Sequence, residues 1–168
     1  MKRVSSVIVL LTMLLVSSAV AHAAPAFEQI AVFDVPEANQ GIGVDDSYFY
    51  AVDNRAIGKY DKRTGELVAK WQGPADGPII HLDSAAIIDG KLYCAHSNYS
   101  QYPMTSSVEI WDPVTMEHIG SHSFGIHWGS LTWLDWYDGY WWATFANYDQ
   151  PYGPDGTPYG RKVNTTLV

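Results

Sequence analysis

Downstream of the first two dozen residues, apolar and polar positions alternate in short runs, and no stretch holds a 3.6-residue period. The runs are rich in Val, Ile, Tyr, Phe and Trp, residue types that suit a pleated, half-buried surface. They predict strands near Asn39–Val44, Tyr48–Val52, Ile57–Tyr60 and Glu66–Trp71. A second set is predicted near His81–Ile87, Lys91–His96, Ser107–Trp111 and Glu117–His122. The connections carry turn chemistry. Asp89-Gly90 and Asp138-Gly139 read as two-residue hairpin loops in which Gly accepts positive φ. Asp46-Ser47 stands at the same place with weaker turn chemistry, and Thr64-Gly65 turns the next hairpin. Met116 replaces that Gly in the second set, which predicts a different turn there. "FEQIAVFDV" (Phe27–Val35) is expected to be the outer strand of a preceding unit, and strand resumes at "VNTTLV".

The two sets are copies. "KYDKRTGELVA" (Lys59–Ala69) and "IWDPVTMEHIG" (Ile110–Gly120) share an aromatic residue, Asp, two variable residues, Thr, one residue and Glu. Upstream of each, and again in "WYDGYWWATFAN" (Trp136–Asn147), a strand carries Ala51, Ala95 or Ala143, followed by Asn54, Asn98 or Asn147. The Ala positions lie 95 − 51 = 44 and 143 − 95 = 48 residues apart. A period of about 40–50 residues marks propeller blades or an array, and four short antiparallel strands per repeat make a blade. The expected fold class is all-β, a partial β-propeller of four-stranded antiparallel blades. The third unit starts near Gly129 and enters "YDQPYGPDGTPYGRK" after two strands. The count is about two and a half blades, where closed rings have typically about four to eight. Residues 24–168 therefore read as blades truncated inside the third repeat, with a ring shared between copies or an open sheet as alternatives. Open blade edges would invite self-association. Asp61 and Asp112, each three residues before a Thr, read as local turn fixers.

The N-terminus changes the picture of where the protein resides. Lys2 and Arg3, the apolar "VIVLLTMLLV" and Ala21-His22-Ala23 make residues 1–23 a secretory signal peptide. The expectation is a secreted or periplasmic domain without membrane insertion. Removing Lys2 and Arg3 takes the formal charge from −8 to −10. Such an acidic domain has no electrostatic footprint for nucleic acid. Cys94, the single cysteine, lies in the apolar run "KLYCAH" and reads as a buried thiol. The rival reading is a thiol activated by His96, two residues on and on the same strand face.

"YDKRTGELVAKW" and "IWDPVTMEHIG" resemble the blade motifs of YVTN/quinoprotein-like propellers and of six-bladed lactonase- or cycloisomerase-like propellers. The resemblance covers Asn39 to about Asn147. It implies ligand chemistry at a central channel lined by the innermost strands. Aligning the three units there brings together Glu37, His81 and His127, with Asp83 beside His81 and Gly129 in the Asp83 place. Alternation puts His81, Asp83 and Ala85 on one strand face. Carboxylate plus imidazole is a candidate set for a divalent metal such as calcium and for acid–base ring chemistry. In that reading His81, Asp83 and His127 are catalytic. The competing reading is a hydrated polar channel. Two Tyr- and Pro-bearing loops at one blade position, with Tyr99 and Tyr102 in one and Tyr148 and Tyr152 in the other, are the second candidate. With Glu37 they form the expected ligand-binding set. Five Trp between Trp128 and Trp142 read as packing between blades, or as a stacking surface. The favoured function is a binding or scaffold propeller that engages a small-molecule or protein ligand through its blade loops. A lactonase- or cycloisomerase-like enzyme is the alternative, and a quinoprotein-type redox role comes third.

Overall fold

The computed structural model describes residues 27–126 and 128–147 and the backbone of 165–167. It divides into two units, Met1–Val32 and Phe33–Val168. The described part of the first, residues 27–32, has no regular secondary structure. The second unit holds three antiparallel sheets. The first comprises β1 (Gly41–Val44), β2 (Tyr48–Asp53), β3 (Ala56–Asp61) and β4 (Leu67–Gln72), in that order. The second comprises β5 (His81–Ile88), β6 (Lys91–Ser97), β7 (Ser106–Trp111) and β8 (His118–Gly125). The third pairs β9 (Ser130–Tyr137) with β10 (Tyr140–Ala146), and β10 with β11 (Thr165–Leu167). The described residues contain no helix.

The first strands of the sheets lie side by side. A Cβ on Gly41 of β1 would stand 2.5 Å from the Asp83 carbonyl oxygen of β5, so only glycine permits the approach. Leu134 N of β9 donates to Ser84 Oγ of β5 at 3.2 Å. Tyr50, Val52 and Ile57 of the first sheet form one core with Leu82, Leu92, Cys94 and Trp111 of the second. Ala95 of the second sheet joins Leu131, Leu134, Ala143 and Phe145 of the third in another. Successive antiparallel sheets meet at their first strands and bury apolar faces between them: the fold is all-β, a partial β-propeller.

The repeated motif makes one turn twice. Asp61 Oδ1 accepts Arg63 N and Thr64 N at 2.8 and 2.9 Å, and Asp112 Oδ1 accepts Val114 N and Thr115 N at 2.7 and 3.2 Å. Gly65 N and Met116 N donate to the carbonyls of those same Asp residues, each at 2.8 Å. The different turn expected at Met116 does not occur. Met116 adopts φ 59°, beside 74° for Gly65, and buries its side chain to 5 % exposure in the first core. Apolar burial offsets the strain that a β-carbon meets there. Asp89-Gly90 and Asp138-Gly139 take the positive φ values expected of them. At Asp46-Ser47 the side chain of Asp45 stabilises the turn instead, accepting Ser47 N at 2.8 Å and Tyr48 N at 2.7 Å.

Phe27–Val35 is not a strand; the described residues offer it no ladder partner. Residues 33–39 lie instead on the face of the first blade turned away from the second. Phe33 stacks on Phe49 at 5.9 Å, and Phe49 on Tyr60 at 5.1 Å. The tryptophans also divide. Trp128 packs on Phe145, and Trp141 packs on Tyr93 of the second blade. Trp133 and Trp142 point to the other face of the third sheet, but exposure does not separate the two sets: Trp133, Trp136, Trp141 and Trp142 are 41 %, 42 %, 42 % and 38 % exposed.

Candidate functional site

The site is built where β5 begins. His81 pairs with Ser97 of β6, and its Nδ1 lies 2.5 Å from Asn54 Oδ1, at the end of the preceding blade's second strand. Gln40 Nε2 donates to the same oxygen at 3.2 Å. Because that oxygen only accepts, His81 carries its proton on Nδ1 and leaves Nε2 as a base. Nε2 faces Asp83 Oδ2 at 3.7 Å. Tyr99 brings its ring to 5.1 Å from the imidazole, tilted by 41°. The loop that carries Tyr99 is held by Asn98, whose Oδ1 accepts Thr105 N at 2.7 Å and whose Nδ2 donates to Pro103 O at 2.9 Å. Tyr102, in the same loop, is 39 % exposed.

A β-bulge shapes this strand. Register slips between Leu82 and Ala85, so Asp83 and Ser84 oppose no residue of β6. Bulges recur beside functional sites because they re-aim side chains. His81 and Asp83 remain together, but Ala85 falls on the opposite face. The expectation of one shared face fails because the extra residue interrupts the alternation. Burial pushes the Asp83 carboxyl up to about 6 and lowers the His81 imidazole. Near neutral pH the pair is a neutral base beside an acid close to its titration point, as acid–base chemistry requires.

Glu37 does not join this group. It is 5 % exposed, pairs with Lys70 Nζ at 2.7 Å and accepts the Tyr60 hydroxyl, all on the far face of the first blade. Burial opposes its charge, but those bonds hold it below the usual carboxylate range. Its role is to anchor residues 33–39, not to bind at the channel. The alignment that placed Glu37 beside His81 was three residues out. Ladder register makes Gln40, His81 and Ser130 equivalent, each opening or preceding the first strand of its blade. His127, Tyr148 and Tyr152 lie outside the described residues. Among the described residues no group of three or more His, Cys, Asp or Glu side chains could hold a metal ion.

Asn54 and Gln40 were absent from the sequence-predicted set, although Asn54 is the first of the three Asn that close the repeat. Cys94 is fully buried, and burial pushes its thiol up. His96 is no base for it: Nε2 accepts Ile80 N at 3.2 Å, and Nδ1 lies 2.8 Å from Ser107 Oγ.

No protein-family model matches the chain, and no curated protein matches it. Over 70 % of its length it is similar to half of a solved α-L-arabinofuranosidase from Clostridium thermocellum ATCC 27405, at 16 % identity and TM-score 0.38. It is similar over the same share to 43 % of the computationally designed Ika8 protein, at 14 % identity and TM-score 0.33. The chain thus spans half or less of the length of the solved structures it matches.

Proposed function

We propose that this chain is part of an exported β-propeller that binds a small polar ligand where β5 begins, between His81, Asp83 and Tyr99. One observation carries the reading: the loop tyrosine and the channel histidine are in contact, so the two candidate places are one site. The repeat motifs favour a propeller of the YVTN/quinoprotein-like or lactonase-like kind, and residues 1–23 favour secretion or a periplasmic location. The acidic charge speaks against nucleic-acid partners. The exposed Trp133 and Trp142 favour self-association through the open face of the third blade. The test is a thermal-shift screen of lactones, cyclic amides and monosaccharides, with hits retested by calorimetry on His81→Ala and Tyr99→Ala. Both variants should weaken binding at least about tenfold. A screen without hits, or a hit that survives both changes, overturns the reading.

A lactonase-like activity is the second reading, favoured by the His81–Asp83 pair. His81 Nε2 would take a proton from water as its oxygen adds to the lactone carbonyl. The ring C–O bond would then break, and the leaving alkoxide would take a proton from the protonated imidazole. Hydrolysis of dihydrocoumarin that disappears in His81→Ala would support it; equal rates in the two proteins would remove it.

A further inference from the structure

A cavity of about 540 Å³ lies in the cleft between the first and second blades and is not lined by His81. Its volume falls in the range of about 300–1,000 Å³ found for small-molecule sites. Trp71 of β4 and Ile79 form one wall, and β7 and β8 form the floor. At the floor stands Glu109, only 6 % exposed. Ser107 and Ser121 donate to its Oε1 at 2.6 and 2.8 Å, and His118 Nε2 lies 2.7 Å from its Oε2. Because His96 Nε2 is an acceptor, His96 Nδ1–H donates to Ser107, and the chain runs His96 to Ser107 to Glu109. Burial lowers His96 to about 4, so it is neutral at physiological pH.

The neighbouring blade core is apolar, whereas this stretch of the same face buries a carboxylate at the edge of an open cleft. That arrangement costs desolvation energy which apolar packing would avoid. The lining also defines what fits. It contains no Lys or Arg, and Glu109 repels anions. Three donors already answer the carboxylate, so an incoming cation would have to compete with Ser107, Ser121 and His118 for it. What remains are the Thr105 and Ser123 hydroxyls, which both donate and accept, and Ser121 Oγ as an acceptor, facing an indole.

We propose that this cleft is a second binding site, for a neutral polyhydroxylated ligand such as a monosaccharide or polyol. The ligand lies against Trp71 and bonds Ser121, Ser123 and the remaining lone pair of Glu109 Oε2. The site stands independently of the one at His81.

D-glucose, D-xylose and myo-inositol are titrated by calorimetry into the purified chain, with tetramethylammonium chloride as a cationic probe. Ser123 is exposed at the rim, so Ser123→Phe fills the cleft without touching the core. Glu109→Gln is the second variant. The expected result is saturable binding of at least one polyol with a Kd no weaker than about 1 mM. Ser123→Phe should weaken it at least about tenfold with an unchanged melting temperature, and His81→Ala should leave it intact. No polyol binding to the unmodified chain, binding unaffected by Ser123→Phe, or preference for tetramethylammonium overturns the proposal. If Glu109→Gln does not fold, Ser123→Phe alone decides.

Discussion

Replacing Asp83 by Asn should stabilise the protein, and only above a defined pH. The carboxyl rises from 3.8 to about 6 because burial disfavours its charged form. Its folded pKa exceeds its unfolded one, so its contribution is fully favourable below about pH 4 and is lost as pH rises through about 6. At 1.36 kcal/mol per pKa unit, the whole shift corresponds to about 3 kcal/mol. Solvent reaches this side chain, which is 19 % exposed, and screening reduces the expected value to about 1–2 kcal/mol. His81 and His96 act with the opposite sign: burial lowers both, so their contribution is present above about pH 6.5 and is lost as pH falls through their folded pKa. Subtracting the variant's curve from that of the unmodified chain cancels those histidines to first order. The assay is urea unfolding, followed by tryptophan fluorescence, at half-unit pH steps. The difference should be near zero at about pH 3.5 and grow to about 1–2 kcal/mol in favour of Asn by about pH 7. A difference independent of pH, or one that favours Asp at pH 7, would refute the account of Asp83 as a desolvated, nearly unpaired carboxyl.

Four further outcomes follow from contacts described above. Met116→Gly relieves a left-handed backbone but removes a core side chain worth about 1.5–3 kcal/mol, so unfolding measurements should show a net loss of about 1–2 kcal/mol. Gly41→Ala puts a methyl group against the Asp83 carbonyl and should cost at least about 2 kcal/mol, with ligand uptake at His81 falling alongside stability. Glu37→Gln should cost about 1 kcal/mol at pH 7 and progressively less as pH falls below about 4.5, because Glu37 is held below its usual range and its contribution is lost as it protonates; binding at His81 should not change. Sedimentation should show concentration-dependent association that weakens in the double variant Trp133→Gln, Trp142→Gln.

The strands were legible because alternation and turn residues are local signals, and those of the first two blades begin and end within three residues of their predicted limits. Phe27–Val35 misled for the same reason: its pattern suits a strand, but a strand needs a partner that its own sequence does not supply. The Asp61 and Asp112 turns were legible as a repeated phrase, whereas the conformation of Met116 was not, since its strain is offset by a core that distant residues assemble. At the site, His81 and Asp83 were found through their spacing. The bulge at Asp83 and Ser84 carries no composition signal; it supplies one of the three residues by which the blades misalign, and the longer β5–β6 hairpin supplies the other two. Glu37 was misassigned because its partners Tyr60 and Lys70 lie 23 and 33 residues away. The cleft around Glu109 draws on four strands, so no contiguous motif announces it.

Residues 33–39 give the molecule a direction. Phe33 and Glu37 already occupy the Phe49–Tyr60 part of the first blade's outward face, so that face starts its core with its own chain. The third blade offers Trp133 and Trp142 bare. In a repeat architecture, where each unit is stabilised mainly by its neighbours, that asymmetry works as a seed crystal does. Part of the first blade's outward face is a facet already covered, whereas Trp133 and Trp142 leave the third blade's a facet still open.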